Sequence, residues 1–208
     1  MRPIIIILIT TLLIGCSKSI FKSKWTNEKS PGNFVARFET SKGTFDVQVS
    51  REWSPMAVDR FYQLVKHHSL DHIIFYRVVP NFVAQFGISD TAEFKKWRQF
   101  IVPDEKVVSG NKKGSISFAR AGKETRSDQL YFNLRDNLFL DTLNLYGVKG
   151  FPAFGDVIRG MEVVEALYSG YGDNTMKQLD TLYLNRSRFL SIFPKLDSIN
   201  KVYLLETH

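Results

Sequence analysis

The chain has 208 residues, 44% of them hydrophobic, with 17 Phe, one Cys and a formal net charge of +7. That length and apolar content suit one well-packed domain and exclude a disordered or low-complexity chain. With Cys16 as the only cysteine, an internal disulfide and a thiolate metal cluster are excluded, so the fold must be held by its core alone.

In chain order, Met1-Arg2-Pro3 leads into an apolar run of about eleven residues that ends at Gly15-Cys16. The run falls short of the roughly 20 residues that span a bilayer, and its charged start and small closing residue fit a secretory signal segment. Leu13-Ile14-Gly15-Cys16 resembles the bacterial lipobox. The resemblance implies a leader over 1–15, cleavage before Cys16 and acylation of its thiol; a plain signal peptide or an uncleaved anchor is the alternative. One acyl chain binds a membrane only marginally, and the resemblance implies three. Ser17 rather than Asp after the cysteine implies the periplasmic face of the outer membrane of a bacterium. Residues 16–32 hold Asn, Ser, Lys, Pro and Gly without apolar periodicity and carry Lys18, Lys22 and Lys24, which reads as a flexible, lipidated tether beside anionic headgroups.

Loss of Arg2 with the leader lowers the charge from +7 to +6. Lys95-Lys96-Trp97-Arg98 and Lys112-Lys113 are short clusters set among acids. Nucleic-acid binding needs a clustered basic face, so these read as solvated surface, and no nucleic-acid partner is expected.

The remaining chain, 33–208, reads as one domain with an extended C-terminal segment. Phe34 to Thr40 alternates as a strand, Ser41-Lys42-Gly43 turns, and Thr44 to Val49 returns as its hairpin partner. Ser54-Pro55 places an N-cap before proline at the first helical position. Ala57, Val58, Phe61, Leu64 and Val65 then repeat at helical spacing. His67 and His68 point apart on such a helix, and together with His72 they lack the ligand number and spacing of a metal site. Ile73 to Val79 and Phe82 to Phe86 are predicted as central strands around the Pro80-Asn81 turn. A short helical piece near Ala92 to Gln99 lies in an irregular insertion. Strands follow at Ser115 to Ala119 and Tyr131 to Asn133; after Asp156-Val157-Ile158 and Gly160, Met161 to Tyr168 makes a second amphipathic helix. Leu182 to Phe193 looks helical and Lys201 to Leu205 is a closing strand.

One residue type stands out of place in this pattern. Arg77 sits in an apolar, β-branched run, and arginine is rarely buried without a partner, so it either covers the core edge or awaits a ligand carbonyl. Strand, turn and strand would set Arg77 and Gln85 on neighbouring ladders beside Phe82 and Val83. The block Phe75-Tyr76-Arg77-Val78-Val79-Pro80-Asn81-Phe82-Val83-Ala84-Gln85 resembles the active-site signature of cyclophilin-type peptidyl-prolyl isomerases. Four further blocks follow in the family's order: Gly114 to Gly122, Ser127 to Leu134, Asn137 to Asp141 and Phe154 to Met161. Val102-Pro103-Asp104-Glu105 resembles an element of the family's bacterial members. The resemblance spans roughly residues 34 to 170.

The resemblance implies a mainly β fold with helices, a closed eight-stranded antiparallel barrel capped by two helices. It also implies an activity: rotation about Xaa-Pro bonds of proline-containing polypeptides, here assisting the folding of exported proteins, by a monomer without cofactor or metal. The barrier is about 18–20 kcal/mol and no bond breaks, so the reaction needs a pocket for the proline ring and a donor for the twisted amide. Arg77 is implied as that donor because it stays protonated and offers a planar fork; Phe82 and Gln85 complete the catalytic set. Val83, Tyr131, Phe139, Leu140 and Phe151 are implied as the proline pocket, and Arg120 as a source of backbone groups beside the groove. Departures from the pattern are Val83 for Met, Tyr131 for Phe, Phe139 for Trp, Phe151 for His, and a longer loop over Asp141 to Gly150. These leave an alternative open: a catalytically weak cyclophilin-fold module that binds Pro-containing segments.

Overall fold

A computed structural model of the chain describes residues 21–205. The leader and Cys16 lie outside the described residues. Ten strands and five helices are assigned within them: β1 Asn33–Thr40, β2 Gly43–Ser50, α1 Pro55–Lys66, β3 Arg77–Val78, β4 Val83–Phe86, α2 Ala92–Trp97, β5 Ser115–Phe118 and β6 Leu130–Asn133, followed by β7 Asn144–Leu145, β8 Val148–Lys149, β9 Ala153–Arg159, α3 Met161–Glu165, α4 Leu179–Leu184, α5 Arg186–Ile192 and β10 Ile199–Leu204.

Eight strands form one antiparallel sheet in the order β10-β1-β2-β9-β5-β6-β4-β3, and β7-β8 form a separate two-stranded ribbon. β1 alternates between buried and partly exposed residues, as its sequence alternation requires. Its inward Phe38 stacks on Phe45 of β2 with ring centroids 4.7 Å apart. Phe132 meets Phe38, Phe45 and Phe86 edge-on or stacked at 5.6, 5.2 and 5.4 Å. Phenylalanines from facing strands therefore fill the concave side of the sheet, where aromatic pairs add to the burial of their own area. α1 closes one side of this core with Ala57, Val58, Phe61 and Leu64, all fully buried, on the stripe that the helical spacing predicts.

The closed barrel expected from sequence is not seen as a continuous ladder. Between the two ends of the sheet there is an isolated Ile74–Ser198 bridge. Two backbone bonds flank it, Phe75 N–H to Asp197 O at 3.0 Å and Ile199 N–H to Ile73 O at 2.7 Å. The expected strand from Ile73 is regular only from Arg77; before it, Ile74 makes just the isolated bridge. Other expected elements shift as well. The helix expected over Leu182 to Phe193 is two helices broken at Asn185, whose side chain caps α5 by accepting from Arg188 N–H at 2.9 Å. The β7-β8 ribbon, absent from the sequence reading, is a hairpin whose turn residues Tyr146 and Gly147 have φ of 49° and 84°.

Ser54 precedes α1 as expected, but its hydroxyl does not accept from the first turn. It donates to Glu105, whose two carboxylate oxygens accept Met56 N–H at 2.8 Å and Ala57 N–H at 3.2 Å. A carboxylate brought in from 49 residues away thus satisfies the free donors at the start of the helix and complements its dipole.

The expectation of a flexible tether fails for residues 21–32. Ser23–Asn27 is a turn of 3-10 helix with Trp25 buried. The Trp25 ring stacks on His67 at 3.9 Å, and Phe21 meets the Trp97 ring edge-on at 5.0 Å. Gln63 of α1 donates to the carbonyls of Thr26 and Glu28 at 3.1 and 2.7 Å. Two aromatics and the Gln63 amide together order this stretch, because the large apolar area of the rings is removed from water.

Candidate active site

The site is built on the β3-β4 hairpin. Asn81 takes φ 55° at its turn, a conformation Asn tolerates better than most residues. The register sets Arg77 directly opposite Gln85, the neighbouring placement expected from the alternation. Side chains of such a pair meet on one face. Arg77 Nη1 donates to Gln85 Oε1 at 3.1 Å, and its guanidinium carbon lies 5.4 Å from the Phe82 ring centroid. Arg77 keeps 18% of its side-chain surface exposed, so the fork borders solvent without being free in it.

Beside it, Val83, Tyr131, Leu140 and Phe151 form a buried apolar cluster of their own, with Phe82, Ala119 and Leu145 packed at its border. Tyr131 and Phe151 meet edge-on at 6.3 Å. Phe139 stands at the outer wall, half exposed at 50% and stacked 6.2 Å from Phe82. An exposed aromatic next to a buried apolar cluster is a surface suited to a small apolar ring.

Two polar devices hold this cluster. Asn111, fully buried, accepts at Oδ1 from Tyr131 Oη at 2.9 Å and Ser117 Oγ at 3.2 Å. Its amide nitrogen donates to Asp141 Oδ1 and to the Phe151 carbonyl, each at 2.7 Å. Burial pushes the Tyr131 phenol up, so its hydroxyl stays protonated and donates away from the cluster to Asn111. Arg120 carries no exposed side-chain surface. Its guanidinium donates to Asp104 at 3.0 Å and lies 4.8 Å from the Phe151 ring centroid. It therefore braces the Phe151 side of the cluster.

The Val102 to Glu105 segment supplies both acids of this arrangement. Asp104 takes Arg120, and Glu105 takes fully buried Arg126 at 3.0 Å besides the start of α1. All nine residues singled out from sequence, other than Cys16, are thus brought to one hairpin and its adjoining cluster. Among the described residues no three His, Cys, Asp or Glu side chains are placed to share a metal ion.

The geometry agrees with the comparisons. The sequence model described as "Cyclophilin type peptidyl-prolyl cis-trans isomerase/CLD" matches residues 35–187, most of the described chain.

The chain belongs to the cyclophilin family.

A peptidyl-prolyl cis-trans isomerase of Acinetobacter baylyi is 28% identical over 137 residues, covering 65% of this chain and 72% of the relative. Peptidyl-prolyl cis-trans isomerase A of Dickeya dadantii is 30% identical over 132 residues, covering 62% and 67%. An Arabidopsis thaliana isomerase is 28% identical over 156 residues, covering 73% and 91%. The crystal structure of a Cryptosporidium parvum cyclophilin type isomerase superposes with a TM-score of 0.60 at 15% identity, covering 85% of this chain and 99% of that one. That likeness speaks for the fold.

The candidate site of this cyclophilin contains residues that the sequence did not single out. Gln129 Oε1 accepts from Gln85 Nε2 at 3.1 Å and from Tyr76 Oη at 2.7 Å, and its own amide donates to Tyr183 Oη at 2.7 Å. Asp173 accepts from Arg77 Nε at 2.6 Å. Gln129 stood inside the Ser127 to Leu134 block, so its motif position was available. Asn111 sat in an Asn-Lys-Lys-Gly stretch that reads as a solvated turn, and Asp173 and Tyr183 lie in the tail to which the sequence assigned no role.

Proposed function

We propose that the chain is a peptidyl-prolyl cis-trans isomerase that acts on Xaa-Pro bonds of polypeptides, and that Arg77, Phe82 and Gln85 form its catalytic set. The observation that carries this is the Arg77–Gln85 bond of 3.1 Å beside Phe82 and an apolar cluster of four buried side chains. The proline ring rests on Val83, Tyr131, Leu140 and Phe151 with Phe82 and Phe139 at the rim. As the amide twists, conjugation is lost and its nitrogen becomes pyramidal. A fixed guanidinium N–H then stabilises charge that the planar amide lacks, which favours the transition state over the ground state. No proton or covalent bond is exchanged, so no nucleophile or general base is required. Exchange spectroscopy on a panel of Xaa-Pro peptides with residues 17–208 tests this; no acceleration over the uncatalysed rate would reject it.

The same reading extends to location and architecture. Leu13-Ile14-Gly15-Cys16 supports cleavage of 1–15 and acylation at Cys16. The protein would then be a monomeric lipoprotein on the periplasmic face of a bacterial outer membrane, assisting exported proteins. Packing of residues 21–32 on α1 leaves only a short link between lipid and domain, which would hold the groove close to the membrane. Cys16→Ala should block lipidation and with it change the mass and the detergent-phase distribution of the protein; unchanged mass and partition would reject lipidation. The Ile74–Ser198 bridge supports closure of the sheet into the family's barrel.

A further inference from the structure

The segment after α3 is docked beside the catalytic hairpin. Leu182 and Phe189 are fully buried with Ile74 and Tyr76 in a second apolar cluster, so α4 and α5 pack on the residues leading into β3. Between α3 and α4 a 3-10 turn over Gly172–Gln178 is tied to this cluster through Tyr171, whose ring meets Phe193 at 5.1 Å.

Two side chains of this unit enter the catalytic hydrogen bonds. Asp173 Oδ1 takes Arg77 Nε at 2.6 Å, while Gln85 Oε1 takes Nη1 at 3.1 Å. Two of the five guanidinium donors are thereby committed, to partners on different elements, and the Nη2 donors carry neither bond. The second side chain is Tyr183. Its hydroxyl accepts from Gln129 Nε2 at 2.7 Å, which turns Gln129 Oε1 toward Gln85 Nε2 at 3.1 Å. That bond in turn fixes Gln85 Oε1 toward Arg77. The amide polarity runs in one direction only, because each amide has one accepting and one donating end.

We propose that Asp173 is a positioning residue for the isomerase reaction, and that Tyr183 assists it through Gln129 and Gln85. The C-terminal helical unit is then part of the catalytic apparatus. This rests on the reading of Arg77 as the group that acts on the twisted amide. A guanidinium held at two points loses little freedom as the amide rotates, which is the preorganisation that makes a donor effective.

The test uses the full-length chain in detergent, with rate at saturating peptide and peptide Kd measured separately by exchange and titration NMR. Asp173→Ala should lower the saturated rate by about 3- to 10-fold, the range of one charge-assisted hydrogen bond, with Kd within about twofold. Asp173→Asn keeps an oxygen that can accept from Nε and should recover part of the loss. Tyr183→Phe keeps the ring under Arg98, 3.9 Å from its centroid, and should also lower the rate, less than additively with Asp173→Ala because both act on one guanidinium. Melting temperatures should not follow these rates, since the Asp173 side chain is 67% exposed and exposed ion pairs add little stability. An unchanged or raised rate in Asp173→Ala would overturn the proposal, as would a loss that tracks melting temperature. An inactive wild-type chain would overturn the isomerase reading and this one with it; an active wild type with unaltered variants overturns this one alone.

Discussion

Asp59→Asn should weaken the whole fold, and the size of the effect follows from its surroundings. Asp59 lies on α1 and is 5% exposed. It accepts from Ser30 N–H at 2.9 Å, Ser30 Oγ at 3.1 Å, and Arg51 Nε and Nη2 at 2.9 and 3.0 Å. Burial alone would raise its pKa, but the Arg51 fork, the Ser30 backbone and hydroxyl and Lys29 outweigh burial and hold the carboxyl at about 2, against an ordinary 3.8. At about 1.36 kcal/mol per pH unit, the ionised form is favoured in the fold by about 2 kcal/mol. An asparagine removes that charge and faces at least one of the same donors with its own N–H groups. For a domain of this size the loss is about 4–8 °C in melting temperature at neutral pH. The sign with pH is fixed by the direction of the shift. A depressed pKa contributes stability that is complete above 3.8 and is lost as pH falls toward about 2. The gap between wild type and Asp59→Asn should therefore be constant from pH 5 to 7 and close between about pH 4 and 2. Thermal melts of both proteins across that range measure it. A gap under about 1 °C at pH 7, or one that does not close in acid, would refute the reasoning.

Glu105→Ala should cost about 3 kcal/mol in urea denaturation, because it strips the cap from α1 and leaves Arg126, with no exposed side-chain surface, only the more distant Asp104 carboxylate at 3.8 Å. Tyr131→Phe should lose only about 1 kcal/mol, since the Tyr131 hydroxyl points to Asn111 rather than to the groove, and its isomerase rate should stay within about twofold of wild type. Phe139→Ala should weaken peptide binding in NMR titrations while leaving the melting temperature within about 2 °C, because half of its surface is already in water.

Features with a local period were legible in the sequence. The stripe Ala57, Val58, Phe61, Leu64 and Val65 gave α1, and the alternation around Pro80-Asn81 set Arg77 opposite Gln85. The pocket residues came from ordered motifs, since no period marks Tyr131 or Phe151 as wall rather than core. Other features had no local signal. A two-residue strand such as Asn144–Leu145 is too short to show alternation, so the β7-β8 ribbon looked like loop. Phe21 and Trp25 stand in a stretch without apolar periodicity, and their order depends on His67 and Trp97, which lie far along the chain. The Arg77–Asp173 pair spans 96 residues, and only the fold brings an acid of the tail to the hairpin. The isolated Ile74–Ser198 bridge likewise joins 73–75 to 197–199, a pairing that neither stretch announces.

The proposed role of the Arg77 guanidinium in rotating the prolyl amide is tested by exchange NMR on one Xaa-Pro peptide with wild type and Arg77→Ala side by side. Wild type should accelerate cis-trans exchange, and Arg77→Ala should lower kcat/KM by about 10²-fold or more with its circular dichroism unchanged. Arg77→Lys should recover little, because an ammonium cannot reproduce the planar fork. No acceleration by wild type, or a folded Arg77→Ala as active as wild type, would rule out that role for Arg77.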